Sequence, residues 1–386
     1  MSYRPLFSMP APVIFGCGAI AELGPQAKSI GVKKALIIFE KGVEGAGIPQ
    51  KAAESLRNAG VECAMFNGAC PDPTDSVADL AGETALREGC DCLIGIGGGS
   101  SLDAAKAAAI YLHDPGPTAR YILAQPIAVD TKTPVILIPT TSGTGSECTT
   151  VAIISRPEHN AKWSVFVNTT LAIVDPELTF SVPKSVTVNT ALDAFAHAAE
   201  AMTGKSWNYH SDLFAEAAIR KIAKHLYTAW SEPDNVEARS ELALAANWAG
   251  IAFNNPICHV GHSVADALSC EFHTPHGLGC ALALPETLAL VAPAVPERIK
   301  RIAEAMELPL AGSETPAELG RMVADAIRAM MRSMEMPSLK SLGYSREQVL
   351  ALYPDVVSNH LSSYCPVEIT EDTAKKLLED VYGSYQ

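Results

Sequence analysis

Long runs of lysine and arginine are missing from this 386-residue chain, and acidic residues outnumber basic ones, giving a formal net charge of −14 and an isoelectric point near 5.2. A chain of that sign has little with which to track a phosphate backbone, so nucleic acid is not an expected partner. A secretory leader is not evident, because Pro5, Pro10 and Pro12 arrive before any continuous apolar stretch. A membrane span is lacking too: the most apolar segment, residues 281–296, is interrupted by Pro285 and Glu286 and is too short to cross a bilayer. The expectation is a cytoplasmic protein with no membrane partner. Internal repeats and low-complexity tracts are absent. Ten cysteines are present, but they are scattered along a long chain, and Cys90 and Cys92 form only C-x-C. That spacing is neither a redox C-x-x-C nor half a zinc ribbon, so reduced, mostly buried thiols are expected.

What the chain does have is apolar bulk, with 48% hydrophobic and 19% charged residues and a mean hydropathy of +0.14. That composition supports a large core, and at about 100–200 residues per domain the length suggests two domains. Short β-branched runs at residues 35–39, 92–96, 134–139, 151–154 and 171–174 read as buried strands. Alanine-rich stretches between them, notably 75–88 and 101–112, are long enough for crossover helices, and this alternation predicts a parallel α/β sheet. Beyond Asp175-Pro176 the texture changes. Phe214, Ala218, Ile222 and Leu226 recur every fourth residue, as do Leu319, Val323 and Ile327, which is helical spacing. The reading is an α/β domain over residues 1–184 that carries dinucleotide-binding loops, followed by an all-α metal-binding and substrate domain over 185–386.

Two loops of the first half invite a ligand. Gly97-Gly98-Gly99-Ser100 follows an apolar run and opens an alanine-rich helix. Consecutive glycines without Cβ atoms let a pyrophosphate approach the backbone, where the N–H groups of a helix N-terminus face it. A βα turn needs glycine in any case, and Ser100 or Ser101 could serve only as an N-cap. The spacing is not G-x-G-x-x-G, so the ordinary Rossmann fingerprint is not present. A second loop, Pro139-Thr140-Thr141-Ser142-Gly143-Thr144-Gly145-Ser146-Glu147, follows another buried run, and open α/β sheets bind ligands at such strand ends. Glu40, just after residues 35–39, is the first candidate for the adenosine ribose, since a carboxylate accepts from both hydroxyls and repels a 2′-phosphate.

In the second half Asp193 and His197 stand one helical turn apart. His259, His262, His273 and His276 then crowd into eighteen residues. A lone histidine is more often a core residue than a ligand, but with the Asp193/His197 pair an N,N,N,O set suits a divalent ion such as Fe²⁺ or Zn²⁺.

At this point the chain resembles the iron-containing (group III) alcohol dehydrogenases over essentially its whole length. The carriers are residues 97–106, residues 139–147, Ile173-Val174-Asp175-Pro176-Glu177-Leu178, Asp193-Ala194-Phe195-Ala196-His197, residues 249–253 and Pro275-His276-Gly277. The resemblance implies that Asp193, His197, His262 and His276 hold the metal, the last two fourteen residues apart. It also implies that Gly97, Gly98, Gly99 and Ser100 hold a pyrophosphate, that Thr140, Thr141 and Thr144 lie along NAD(H), and that Lys162 reaches its ribose, with Asp72 and Asp103 among the cofactor positions. A homodimer or higher homo-oligomer is expected.

The departures bear on mechanism. Four residues after the His262 position these enzymes usually carry a further histidine, whereas this chain has Asp266. Glu40 stands where Asp is common, which keeps the charge that favours NAD, and Asp72 stands where Asn is frequent. Ala191-Leu192 replaces the more usual Gly-Met and touches no inferred ligand. The implied chemistry is metal-assisted hydride exchange between a small primary alcohol, or its aldehyde, and the nicotinamide. Asp266, His273 or a water chain would take the proton, and a carboxylate steadying a ligating imidazole is the other reading of Asp266. Phe253, and less directly Val151, are candidate walls of the substrate pocket, whose occupant could carry a polar or acidic tail. Competing expectations are a zinc polyol dehydrogenase of the glycerol type, a dehydroquinate-synthase-like lyase, and a non-catalytic nucleotide- or metal-binding module.

Overall fold

The computed structural model describes residues 6–122, 129–156 and 161–386. No helix among them is long and apolar enough to cross a membrane. The described residues form two compact units, one within residues 9–182 and one of residues 183–386 together with residues 6–8.

In the first unit six parallel strands make one sheet: β1 (Val13–Phe15), β2 (Lys34–Glu40), β3 (Glu62–Ala69), β4 (Cys92–Gly97), β5 (Val135–Pro139) and β8 (Leu171–Val174). Their order is β1-β8-β5-β4-β2-β3. Side chains alternate along each strand, so the sheet buries two separate cores. Leu36, Ile38, Leu93 and Leu137 face one of them, packed on alanines of the helices Asp75–Glu88 and Gly99–His113. Ala35, Ile37, Phe39, Ile94, Ile96, Ile136 and Ile138 face the other, packed on Leu23, Ala52 and Leu56. Coverage of both faces explains why these strands read as unbroken apolar runs.

Two departures from the sequence reading concern strands. Residues 151–154 do not enter the parallel sheet: β6 (Val151–Arg156) pairs antiparallel with β7 (Ala161–Phe166) in a separate hairpin. The sheet's edge strands β1 and β3 were not foreseen, because β1 has only three residues and β3 exposes much of its surface, so neither carries an apolar run. Strand β3 lies beside β2, and β4 lies on β2's other side, so the chain reverses direction across the sheet between β2 and β4. Glu40, Gly97 and Pro139 end three adjacent strands there, at the carboxyl edge where open sheets take ligands.

Every regular element among the second unit's described residues is a helix. The helix Lys184–Thr203 is almost entirely buried from Ala191 onward and packs against Tyr209–Ser231, Val236–Phe253 and His276–Val291. The fourfold spacing noted above falls on buried faces, with Ala218, Ile222, Leu226, Val323 and Ile327 all fully enclosed. Ser8 and Asn255 exchange hydrogen bonds of 2.8 and 3.2 Å, and Phe7 stacks on Phe214, tying the N-terminal segment to this unit.

Candidate functional site

In the first unit the glycine loop and the threonine loop meet. Thr140 N–H donates to Gly97 O at 2.9 Å, and a Cβ on Gly99 would stand 2.6 Å from Thr144 Cγ2. Gly97 has φ +147°, and a Cβ there would lie 2.5 Å from Ser101 Oγ, so a side chain at this turn would be both strained and obstructed. Gly98 is the N-cap of the helix Gly99–His113, its backbone extended, and a Cβ on it would touch only Thr141 at 3.6 Å. The result is a backbone cradle at a fifteen-residue helix N-terminus, flanked by hydroxyls. Glu40 closes β2, and burial raises its carboxyl pKa above the ordinary value.

Asp103 is engaged elsewhere. Its Oδ1 accepts from Ser146 Oγ at 2.6 Å and its Oδ2 from Ile153 N at 2.9 Å. Beside it Lys106, fully buried, donates from Nζ to Ser146 O and Oγ, Thr149 Oγ1 and Val151 O at 2.5–3.2 Å. Burial pushes this lysine down to about 8, although Asp103 and Glu147 oppose the shift. The pair thus clamps the far end of the threonine loop and the start of β6, where half-buried Val151 sits. Lys162, on β7, makes a 2.8 Å ion pair with exposed Asp72, and Ser155 N donates to Pro73 O, so the hairpin is pinned to the turn after β3.

In the helical unit, Asp193, His197, His262 and His276 converge. Asp193 Oδ1 lies 3.8 Å from His197 Nε2, 3.7 Å from His262 Nε2 and 3.8 Å from His276 Nε2. These separations exceed a hydrogen bond. They suit donors that share one ion at bonds of about 2.0–2.2 Å and tetrahedral or wider angles. His262 Nε2 is buried and faces the Asp193 carboxylate, with the Cys258 and Cys280 thiols beside the ring. The donor set and its spacing therefore fit a divalent cation.

Glu200, which the sequence reading overlooked, holds this cluster. It lies three residues after His197 and seven after Asp193, on the same helical face. Its Oε1 is 3.0 Å from His262 Nδ1, and its Oε2 accepts from His259 N. Burial alone would raise its pKa, but His262 and His259 beside it bring it below the ordinary carboxylate value. An ionised carboxylate at this place favours the His262 tautomer that carries its proton on Nδ1, which leaves Nε2 free to serve as a donor atom to an ion. Gly261 makes room for it, since a Cβ there would meet Glu200 Oε1 at 2.4 Å. Buried His259 bonds Thr203 Oγ1 through Nε2 at 2.8 Å.

Phe253, at the end of the helix Val236–Phe253, stacks on His197 with centroids 4.2 Å apart. Asp266 Oδ1 is 3.8 Å from His276 Nδ1, and its Oδ2 accepts from Asn359 at 3.2 Å. His273 stands apart, exposed in the left-handed C-cap of the helix Val260–Phe272. Two further buried side chains border the cluster, Cys258 and Cys280, each four residues from a histidine of the set. All ten cysteines are free thiols, six of them buried.

A family model described as iron-containing alcohol dehydrogenase matches residues 10–176, and one described as the C-terminal part of the Fe-containing alcohol dehydrogenase family matches residues 187–382. The chain is 33% identical over 351 residues to a NAD-dependent methanol dehydrogenase of Bacillus methanolicus, covering 89% of this chain and 91% of that one. It is 33% identical over 353 residues to a 1,3-propanediol dehydrogenase of Klebsiella pneumoniae, covering 89% and 90%. A crystal structure of a 1,3-propanediol oxidoreductase superposes with a TM-score of 0.92 at 29% identity, covering 98% of this chain and all of that one. The chain belongs to the iron-containing alcohol dehydrogenase family.

Proposed function

We propose that this protein is a NAD(H)-dependent, divalent-metal-dependent alcohol dehydrogenase acting on a small primary alcohol or its aldehyde. The observation that carries the reading is the convergence of three imidazole nitrogens on Asp193 Oδ1 at 3.7–3.8 Å. In the oxidative direction the carbinol C–H gives a hydride to NAD⁺ and the hydroxyl gives a proton to the protein, leaving aldehyde and NADH. An ion held by Asp193, His197, His262 and His276 would act as a Lewis acid on the alcohol oxygen, with Fe²⁺ the family's ion and Zn²⁺ an alternative.

The chain's own residues do the rest. Glu200 fixes the tautomer of His262. Phe253 steadies His197 and walls the substrate side. Asp266, partly solvent-exposed beside His276, receives the proton through water, while exposed His273 is the alternative base. Gly97 to Ser100 cradle the pyrophosphate, Thr140, Thr141 and Thr144 flank it, and Asp103 acts by holding Ser146. Glu40 accepts from the adenosine ribose and disfavours a 2′-phosphate, in keeping with the NAD named for the methanol dehydrogenase relative. Lys162, exchanging Asp72 for the cofactor, reaches the ribose, and Val151 is a second pocket wall. The domain boundary near residue 184 separates these two sets of residues, and a homo-oligomer is the expected state in solution.

The test is anaerobic purification, removal of metal, reconstitution with Fe²⁺ or Zn²⁺, and NADH oxidation over short aldehydes, including carboxylated and sulfonated ones. Turnover restored by the ion and dependent on NADH supports the reading. Preference for glycerol would favour the polyol dehydrogenase alternative.

A further inference from the structure

The buried thiols beside the histidines take no part in the proposed reaction. Cys280 lies one turn after His276 on the same helix, is 1% exposed, and has its Sγ 3.5 Å from His276 Nε2. Donor atoms of Asp193, His262, His276 and Cys280 all lie within 4.8 Å of one another. Buried His262, whose Nε2 is 3.7 Å from Asp193 Oδ1, belongs to this same group. Cys280 Sγ and His276 Nε2 are hydrogen-bonded at 3.5 Å, and a sulfur about 2.3 Å and a nitrogen about 2.0 Å from one shared ion stand at the same separation, roughly 3.5 Å, at a near-tetrahedral angle. Cys258 makes a poorer set, grouping only with His197 and His262 and with no carboxylate.

We propose that Cys280 supplies a thiolate ligand to the divalent ion, in addition to Asp193, His197, His262 and His276, and that this donor tilts the centre toward zinc over iron. The proposal rests on the metal-site reading above and deepens it. On binding, the S–H bond breaks, a sulfur–metal bond forms and the proton leaves to solvent, with no change of oxidation state. A soft thiolate strengthens the hold on Zn²⁺ more than on Fe²⁺, whereas an all-N,O set leaves the choice to availability.

X-ray absorption of the zinc-loaded full chain, with optical spectra of the Co²⁺-substituted chain, tests this without recourse to turnover. One ion per chain, a sulfur scatterer at about 2.3 Å, and a thiolate-to-cobalt charge-transfer band that disappears in Cys280→Ser are expected. The same variant should lose at least tenfold of the zinc-over-iron preference in competitive loading. One ion per chain with only nitrogen and oxygen neighbours, or a band removed by Cys258→Ser and kept by Cys280→Ser, overturns the Cys280 assignment and leaves the metal-site reading intact. Failure to take up either ion overturns both. Should Cys280→Ser not fold, the scatterers of the unaltered chain decide alone.

Discussion

Glu200 Oε1 and His262 Nδ1 lie 3.0 Å apart, fully enclosed between the helices Lys184–Thr203 and Val260–Phe272. A carboxylate in that position fixes which imidazole nitrogen carries the proton and so which one can bind an ion. Glu200→Gln keeps the shape and removes the charge. Its ion affinity should fall by about 10–100-fold, read by competition with a chelator, while circular dichroism stays unchanged. An unchanged affinity would assign Glu200 to packing alone.

Gly261 yields to the same carboxylate. Gly261→Ala places a Cβ against Glu200 Oε1, a contact that cannot be relieved without moving the helix or the ligand pair. Denaturant unfolding should show a loss of about 1–3 kcal/mol, with weakened ion binding alongside. A variant of full stability and full ion affinity would mean that the site is looser than its geometry implies.

Lys106 and Asp103 form the buried support of the threonine loop. Lys106→Met leaves Asp103 enclosed without its cation and should cost about 3–5 kcal/mol in urea unfolding, with a raised KM for NADH. The sign of the pH effect follows from the depressed pKa of about 8 against 10.5 for an ordinary lysine. The unfolded chain holds this proton more tightly than the folded one, so below pH 8 the buried charge offsets part of what the four hydrogen bonds of Lys106 contribute. Its contribution to stability rises with pH between about 8 and 10.5. Relative to Lys106→Met, the unaltered chain should therefore gain stability across that window; a flat difference would contradict the assignment.

Glu40 gives the cofactor choice its own pH dependence. Its carboxyl is held above the ordinary carboxylate value by burial, so it loses its charge earlier than a solvated acid as the pH falls. Discrimination against NADPH should weaken on acidification, and Glu40→Gln should weaken it at every pH. Ratios of kcat/KM for NADH and NADPH across pH 5 to 8 read both effects, and a constant ratio in the unaltered chain would remove Glu40 from cofactor selection.

Asp266 and His273 separate by pH profile. Asp266→Asn should lower kcat and flatten its pH dependence, because Asp266 stands beside His276 and near solvent. His273→Ala, altering an exposed helix cap, should leave turnover close to that of the unaltered chain. Full turnover across pH in both variants would assign the proton to water.

The sequence announces what is built from continuous or periodic signals. Strands β2, β4, β5 and β8 are buried on both faces and read as apolar runs, and Phe214 to Leu226 mark a helix by their spacing. It is nearly silent where a strand is short or wet, as in β1 and β3, and it cannot say that β6 turns back on β7 rather than joining the sheet, since a hairpin strand and a sheet strand share the same β-branched residues. Asp193 and His197 are legible as an i, i+4 pair; extending the same face to i+7 reaches Glu200, and the same step of four reaches Cys280 from His276. Lys106 closes the motif of residues 97–106 but has no role in the sequence reading, and only the fold shows four acceptors around its Nζ.

A requirement of one divalent ion on the Asp193–His197–His262–His276 cluster for turnover follows from the proposed function. Its most direct measurement is ion stoichiometry together with NADH-dependent aldehyde reduction in the unaltered chain and in His262→Ala, with NADH binding followed by fluorescence in both. One ion per chain and turnover in the former, with ion and turnover lost together but NADH binding kept in the latter, is the predicted result. Aldehyde reduction at an undiminished rate by a fully chelated preparation would contradict it.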